Sequence, residues 1–417
     1  MTPEVSLSLL RHGYRFQPRM AEMSGPRPTL PVRVLGRPAL LVAGEEAVRL
    51  FYDRDTMARA GAVPAPLSEE LFGAGAVHGT DGARHAHRKE LHLSALGPDR
   101  VEELMGVLER SWVAVTSGVA APRPGRELFD TLTEVLGGAA LEWVGVGTRD
   151  VRRRSRDLMR IVDGFGSVGP RHLRGRMARR RCQAWAREAV RRARTDPGRT
   201  PVHEVARATD EGGDLLPVDV AAVELLNLVR PLVAVAWFAA LVPMALQERP
   251  DWRERVGECG DDESRRAFVH ELRRHYPFVP VLAARATRDI EWGGHHLARG
   301  GRVLLHVVAT NHDPRTWEEP WAFRPERFEG VEPGPYEYVP QGGGDVQRGH
   351  RCPGEPATVE VLRFLVERVA ELSDGQDDLV LDTTRMPTAP TPRPPRAGPD
   401  AGAGVRHRRG GWLTRSR

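Results

Sequence analysis

The feature that most constrains this chain is a glycine-rich loop that ends on one cysteine just before a predicted helix. The loop runs from Pro340 through three consecutive glycines to Cys352, and Glu355 follows. Apolar residues then recur at helical spacing, at Val359, Leu362, Leu365, Val366 and Val369. Helix N-terminal N–H groups favour a thiolate, and glycines let a flat, bulky ligand approach the backbone. These are the requirements of a cysteine that ligates haem iron.

The ordinary alternative for any single cysteine is a small buried hydrophobic residue. We favour that interpretation for Cys182 and Cys259, which lack such a loop. Three widely spaced cysteines give neither a disulfide framework nor a zinc pattern, which fits a reducing compartment. The first ten residues lack the basic region and apolar core of a signal peptide. We therefore expect a cytoplasmic protein.

Charge is concentrated at the end of the chain. The net charge is +5, residues 391–417 account for +6, and the rest carries about −1. A basic tail can bind nucleic acid or a membrane. However, the chain is arginine-rich throughout and Lys89 is its only lysine, so compositional bias explains the tail better. We expect one domain over residues 1–390 and a disordered Pro/Arg-rich tail over residues 391–417, with no nucleic-acid partner.

The Cys352 loop resembles the haem-binding loop of the cytochrome P450 family. It is most similar to the peroxide-using branch, whose loop reads Q-G-G-G, a short insertion and then G-H-R-C-P-G-E, as residues 341–355 do. The resemblance extends over roughly residues 5 to 390. It implies a mainly α fold with small β-sheets, haem b as cofactor and Cys352 as the axial metal ligand.

The secondary-structure pattern agrees with this fold. Short apolar runs predict strands, and long amphipathic stretches with arginines on the wet faces predict helices over residues 101–200. We expect strands at Val32–Val34, Leu40–Val42, Ile290–Trp292 and Val303–Val308, a helix opened by Gly44, and a break in the helices at Gly164–His172.

The longest apolar segment runs from Val218 to Leu246 and contains Arg230 followed by Pro231. Its length permits a membrane span, but its polar residues and prolines favour a buried central helix, and we expect no stable membrane insertion. A buried arginine is costly unless it is paired. The sequence leaves two partners open: a structural acid such as Glu224 or Asp219, or a ligand carboxylate.

The resemblance favours the ligand. Most members of the family have an acid followed by an alcohol in this helix, whereas the peroxide-using branch has Arg-Pro, as at Arg230 and Pro231. A guanidinium in an apolar pocket would bind the carboxylate of a long-chain fatty acid in bidentate fashion. That carboxylate could then move the proton of hydrogen peroxide itself. Both residues are therefore candidate catalytic residues, and Arg230 also a substrate-binding one.

A second glycine-rich loop, Leu71–Gly82, runs into a basic helix start. Positive charge there opposes the helix dipole, and haem propionates would compensate it; a solvated basic face is the alternative. The resemblance implies that Arg59, Lys89 and Tyr276 hold the propionates and that His85, also a cofactor-binding candidate, lies close by.

His78 lies in the same loop, and the resemblance places it over the haem on the distal side. There, histidine goes with oxidative decarboxylation and glutamine with hydroxylation. The alternative is a histidine that only bonds a loop carbonyl. The resemblance also gives pocket-lining roles to Phe72, Phe165, Phe278 and Val279, which could otherwise be ordinary core residues.

Three further residues resemble the family's structural Glu-Arg-Arg network. Glu271 and Arg274 share a helix face at i, i+3, and Arg327 lies in the later segment Phe323–Phe328. Segment Thr384–Pro387 resembles the branch's substrate-side hairpin.

These observations predict a haem-thiolate peroxygenase that uses hydrogen peroxide, without a redox-partner protein, to oxidise long-chain fatty acids near the carboxylate. The products would be terminal alkenes, α- or β-hydroxy acids, or both. A reductase-dependent monooxygenase acting on another carboxylic acid and a non-catalytic haem-thiolate sensor remain open.

Overall fold

The structure is a computed structural model that describes residues 2–16, 29–147, 149–372 and 378–393. Its framework is helical. The α-helices, numbered in chain order, are α1 Ser6–His12, α2 Glu45–Tyr52, α3 Ala65–Leu71, α4 Gly82–Ala95, α5 Pro98–Thr116, α6 Arg126–Trp143, α7 Val151–Gly164, α8 Pro170–Thr195, α9 Pro201–Arg207, α10 Val218–Ala234, α11 Ala236–Ala239, α12 Val242–Glu248, α13 Arg253–Val256, α14 Asp262–His275, α15 Val307–Asn311 and α16 Glu355–Leu372.

The strands form three small sheets beside the helices. They are β1 Thr29–Val34, β2 Arg37–Val42, β3 Met57–Ala58, β4 Val281–Ala286, β5 Ile290–Trp292, β6 His295–Leu297, β7 Arg302–His306, β8 Leu379–Val380 and β9 Thr391–Pro392. The largest sheet has the order β1-β2-β7-β4-β3, in which only the β2–β7 pair is parallel. Strands β5 and β6 form a second sheet, and β8 pairs with β9. The mainly α fold with small sheets is therefore confirmed.

Helix α10 lies at the centre of the helical part. Its apolar side chains pack against α6, α7, α8 and α9. The stretch Val218–Glu248 is long and apolar enough to cross a membrane, but 89% of its most apolar window is buried inside the fold. Pro231 lies within α10, and the chain continues into the short helices α11 and α12. Because protein surrounds it, this segment is a core helix.

The predicted strand Val303–Val308 is too long at its end. The strand stops at His306, and Val307 begins helix α15. The reason is a helix cap: the His306 side chain accepts a hydrogen bond from the Ala309 N–H at 3.1 Å.

The predicted break at Gly164–His172 falls between α7 and α8. Helix α7 ends at Gly164, and α8 already begins at Pro170, so His172 is helical. Proline favours the first helical position because it has no N–H to leave unsatisfied.

The end of the described chain reaches slightly beyond the expected domain boundary at residue 390. Thr391 and Pro392 form β9, and the Arg393 N–H donates to the Asp378 carbonyl at 2.7 Å. Residues 394–417, and with them the prediction of a disordered tail, lie outside the described residues.

Candidate active site

The Cys352 loop joins the main sheet region to α16. The Cys352 thiol lies 3.6 Å from the Gln341 amide nitrogen, and the Gly354 N–H also points at it. Burial raises the pKa of the Cys352 thiol, and these two donors do not outweigh it. The Gly354 N–H at the helix start does lower the pKa of the thiol, as expected, but desolvation opposes the charged form more strongly. A thiolate at this position requires a positive partner such as a metal ion.

Buried charge holds the loop in place. Arg273 of α14 is fully buried, and it donates to Gln341 at 2.8 Å and to Glu355 at 2.5 Å. Glu355 also accepts from Arg351 at 2.6 Å. These contacts fix both ends of the loop against α14 and α16. Sequence reasoning missed Arg273 and Glu355, although both stand inside the motifs it examined.

Glycine is required at Gly342 for two reasons. Its φ of 96° is strained for any residue with a Cβ, and a Cβ there would lie 2.6 Å from the Tyr52 hydroxyl. Tyr52 is therefore a third residue that sequence reasoning missed: its ring packs against the glycine-rich loop.

Glu271, Arg274 and Arg327 come together as predicted. Arg274 donates to both carboxylate oxygens of Glu271, at 2.7 and 2.8 Å, and Arg327 lies 3.3 Å from that carboxylate. Arg274 also donates to the carbonyls of Asn311 and Pro320. The network joins α14 to the chain that leads into the cysteine loop, so its role is structural.

Arg59, His85 and Lys89 surround the other side of the loop. Lys89 is 3% exposed and donates to the carbonyls of Gly349 and Arg351. Burial lowers its pKa to about 8. The Arg59 guanidinium stacks on the Phe51 ring at 4.1 Å, and burial lowers its pKa as well.

A further histidine joins this cluster. The rings of His85 and His350 lie 3.9 Å apart, and His350 is 3.2 Å from Asp81. Asp81 otherwise accepts from the backbone N–H groups of Arg59 and Ala60. Within the described part of the chain, no carboxylate pairs with the Arg59 or Lys89 side chain. The surplus of buried positive charge beside Cys352 suits the two propionates of haem b.

Tyr276 does not belong to this cluster. It ends α14, its hydroxyl lies 3.5 Å from Glu248, and its ring packs near Phe323. It lines a different cavity, described below. The structure therefore gives no support to its predicted role with the propionates.

The predicted distal residues Phe72, His78, Phe165 and Arg230 do come together. The His78 ring stacks on Phe72 at 4.1 Å, the Arg230 guanidinium lies 5.4 Å over the Phe72 ring, and Phe165 lies 6.4 Å from Phe72. Four elements supply them: the α3 end, the turn Val77–Gly79, the α7 end and α10. Phe72 thus contacts the guanidinium and both of the other rings.

Arg230 is buried without a counter-charge. Its side chain donates to the Leu71 carbonyl, and no carboxylate of the described residues pairs with it. The two acids that sequence reasoning offered as partners are taken: Glu224 pairs with Arg88, and Asp219 with Arg187. Burial, aided by nearby Arg179, lowers the pKa of Arg230 to about 9. Arg230 is therefore protonated at neutral pH and available to an anion.

The His78 side chain keeps accessible surface on the turn Val77–Gly79, although many protein atoms lie around it. Burial, followed by the charge of Arg230, lowers its pKa to about 3. At neutral pH His78 is therefore a neutral imidazole that can donate one hydrogen bond and accept another.

A second group of pocket residues lies towards the end of α14. Phe278 packs 6.0 Å from Phe238, and the Tyr14 hydroxyl donates to the Phe278 carbonyl at 2.8 Å. The cavity here is apolar and is lined by Tyr14, Trp237, Phe238, Leu241, Tyr276, Pro277, Phe278, Leu381, Pro387 and Thr388. Val279 is half-buried next to it. Such a lining suits a hydrocarbon chain.

Comparison with known proteins agrees with this geometry. The Cytochrome P450 family profile matches residues 265–371. The chain is similar to putative cytochrome P450 137 of Mycobacterium tuberculosis, at 26% identity over 368 residues, which cover 81% of this chain and 76% of the relative.

Solved structures resemble it over nearly its whole length. Cytochrome P450EX alpha (CYP152N1) with myristic acid is 34% identical with a TM-score of 0.85, covering 94% of this chain and 96% of that one. Cytochrome P450SP alpha (CYP152B1) with (R)-ibuprophen is 35% identical with a TM-score of 0.85, covering 93% and 97%. A variant of cytochrome P450 OleT with arachidonic acid is 27% identical with a TM-score of 0.84, covering 95% and 99%.

A cysteine in a glycine-rich loop, a buried lysine bonded to that loop and a buried arginine over an aromatic ring are the features expected of a haem-thiolate oxidoreductase. The chain belongs to the cytochrome P450 family, and its structural neighbours are of the CYP152 branch, which is the peroxide-using branch that its loop resembles. Its cofactor is haem, and the Cys352 thiol is the group of this loop that would hold the haem iron.

Proposed function

We propose that this protein is a peroxygenase that uses hydrogen peroxide to oxidise long-chain fatty acids next to the carboxylate. The observation that carries the proposal is Arg230: a buried, protonated guanidinium that no carboxylate of the described residues neutralises. A buried charge of this kind is costly and is normally paired. The carboxylate of a substrate supplies the missing partner. The solved relatives with myristic and arachidonic acid support this choice of ligand.

The chain's own residues then do three things. Arg230 binds the substrate carboxylate through charge-assisted hydrogen bonds and so fixes the carbon atoms next to it. Phe72 and Phe165 line the pocket and exclude water around that pair. The carboxylate, held beside the peroxide site, accepts and returns the peroxide proton, a role that other family members assign to an acid and an alcohol.

The haem, when bound through the Cys352 thiolate, supplies the oxidising chemistry, because the thiolate donates electron density that favours O–O cleavage. Two balanced outcomes follow for the substrate. Hydroxylation places one peroxide oxygen in a C–H bond and releases one water. Decarboxylation removes one β-hydrogen and the carboxyl group as carbon dioxide, forms a terminal alkene and releases two waters. Neither outcome needs electrons from a reductase.

The direct test is to incubate the purified haem protein with hydrogen peroxide and a series of fatty acids from myristate to eicosanoate. Gas chromatography of the products should show alkenes or hydroxy acids with peroxide alone. Turnover that appears only after adding a reductase and NADPH would instead favour the monooxygenase. A haem spectrum that no fatty acid perturbs, with no product, would favour the sensor.

We also propose that the protein acts in the cytoplasm.

His78 is expected to influence which product forms. The structure places it on Phe72 and within the electrostatic influence of Arg230, so it lies beside the bound carboxylate in this proposal. We expect His78→Gln to shift the ratio of alkene to hydroxy acid at least threefold towards the hydroxy acid, measured by gas chromatography under single-substrate conditions.

The matched control for that variant is His87→Gln, since His87 lies on α4 and bonds the Thr209 carbonyl at 3.0 Å, away from Phe72 and Arg230. Its product ratio should equal that of the wild type. An unchanged ratio in His78→Gln would remove His78 from product control while leaving the peroxygenase proposal standing.

A further inference from the structure

Glu224 is a fully buried carboxylate on α10 that the proposed mechanism does not use. Four donors satisfy it: the Val77 N–H at 3.0 Å and the Arg88 guanidinium at 2.8 Å on one oxygen, and the His92 ring at 3.0 Å and the Asn227 amide at 3.4 Å on the other. Four hydrogen bonds to one buried carboxylate hold the Glu224 side chain in a single position.

Glu224 is ionised in this setting. Burial alone would raise its pKa, but the hydrogen bond from His92 and the charges around it lower the pKa instead. Arg88 and His92 both come from α4, four residues apart on one face of that helix. The carboxylate therefore ties α4 to α10 and, through one backbone N–H, to a third segment.

That third segment is the turn Val77–Gly79, which carries His78. The Val77 N–H that Glu224 accepts belongs to the first residue of this turn, immediately before His78. The turn's other backbone hydrogen bonds stay within neighbouring residues: the Gly79 N–H donates to the Ala76 carbonyl and the Thr80 N–H to the Val77 carbonyl, both at 3.1 Å. The bond to Glu224 thus anchors the turn to the rigid central helix.

The geometry of α10 separates this anchor from the substrate site. Glu224 and Arg230 are six residues apart, which places them about 120° apart around the axis and about 9 Å apart along it. Glu224 faces α4 and the turn, whereas Arg230 faces Phe72. Helix α10 can therefore hold the substrate carboxylate through Arg230 and, at the same time, fix the position of His78 through Glu224.

We propose that Glu224 is a positioning residue that fixes His78 over the substrate site through the Val77 N–H. The expected effect on the product ratio rests on the proposed function. The anchoring of the turn by Glu224 does not. Glu224 itself touches neither Phe72 nor Arg230 in the contacts of the described chain. It acts through the turn.

The sharpest test is Val77→Pro, which deletes the one N–H donor in question. Ala76 has φ −62° and ψ 149°, the extended conformation that a residue before proline prefers. Position 77 is the first residue of a 3₁₀ turn, where proline is accepted. Val77→Ala is the matched control, because it trims the same buried side chain and keeps the N–H.

Two readouts separate positioning from general structure. We expect hydrogen exchange of the amides of residues 78–80 to accelerate at least tenfold in Val77→Pro and less than threefold in Val77→Ala. We also expect the ratio of alkene to hydroxy acid to move in Val77→Pro towards that of His78→Gln. In the double variant Val77→Pro/His78→Gln the ratio should equal that of His78→Gln alone. Val77→Pro acts on the ratio only by moving the His78 imidazole, and the double variant no longer has that imidazole.

Unchanged exchange at residues 78–80, or product shifts that multiply in the double variant, would overturn the proposal. If Val77→Pro fails to retain haem, Glu224→Leu provides the same two readouts, because leucine fills similar space but cannot accept a hydrogen bond from the Val77 N–H. If the wild-type protein oxidises no fatty acid, the proposed function fails, and the exchange measurement still decides whether Glu224 anchors the turn.

Discussion

Arg230→Ala is expected to lose most peroxide-driven turnover of fatty acids while keeping its haem. In the proposed complex the guanidinium makes two charge-assisted hydrogen bonds to the substrate carboxylate, each contributing about 1.5–3 kcal/mol. Losing both lowers kcat/KM by about a hundredfold or more. Because the carboxylate also moves the peroxide proton, kcat should fall together with affinity. The measurement is steady-state product formation with myristate, together with the spectral change that the fatty acid induces.

Arg187→Ala is the matched control for this variant. Arg187 also contacts α10, but through Asp219 at its exposed start. Its loss should leave turnover within about twofold of the wild type. Full activity of Arg230→Ala, with haem content unchanged, would contradict the carboxylate role. The conservative variant Arg230→Lys should recover only part of the activity, because lysine keeps the charge but not the paired geometry of the guanidinium.

The protein is also expected to lose stability steeply as the pH falls below about 6.5. The buried histidines include His270, His275, His306 and His312. Burial lowers the pKa of His270 and His306 to about 3, and burial with neighbouring positive charge lowers the pKa of His275 and His312 well below its usual range.

The sign of the effect follows from where the protons bind. The unfolded chain protonates these histidines below their ordinary pKa of about 6.5, whereas burial keeps them neutral in the folded protein to well below that pH. Each histidine therefore favours unfolding by up to about 1.4 kcal/mol per pH unit, and four by up to about 5 kcal/mol. The window from pH 6.5 to 5.5 isolates this effect, because ordinary carboxylates are still largely ionised there.

Denaturant unfolding of the haem protein at pH 7.5, 6.5 and 5.5 measures this dependence. His312→Gln should reduce the slope of stability against pH by about one proton, or about 1.4 kcal/mol per unit. His296→Gln is the control, since His296 pairs with Glu291 on an exposed hairpin and should leave the slope unchanged. A free energy of unfolding that stays constant between pH 6.5 and 5.5 would contradict the prediction, because the four histidines would then bind protons equally well in the folded and the unfolded protein.

Much of the site could be predicted because its residues stand in contiguous stretches with strong local signals. The glycine-rich loop before α16 places Cys352, and Arg230 is a charge in an otherwise apolar helix. Both signals have a physical basis. The loop needs backbone conformations that glycine adopts without strain, and a buried charge such as that of Arg230 needs a partner of opposite charge. The family resemblance added His78 and Phe165, whose meeting across three elements no local pattern could predict.

The misses share one cause, which is that a contact between distant segments decided the outcome. Sequence alone left Glu224 as a possible partner of Arg230, but Arg88 and His92 of α4 claim it. The end of β7 depended on a side-chain cap from His306. Burial also raises the pKa of the Cys352 thiol, which the sequence could not show because how deeply a loop is buried depends on every element packed against it.

The central claim is that the substrate's own acid group completes the catalytic site around Arg230. Peroxide-driven oxidation of a free fatty acid and of its methyl ester, compared at equal concentration with the same haem protein, tests it most directly. The ester keeps the hydrocarbon chain but can neither pair with the guanidinium nor move a proton. We predict that the free acid is oxidised at least a hundredfold faster. Oxidation of the ester at a comparable rate would contradict the claim.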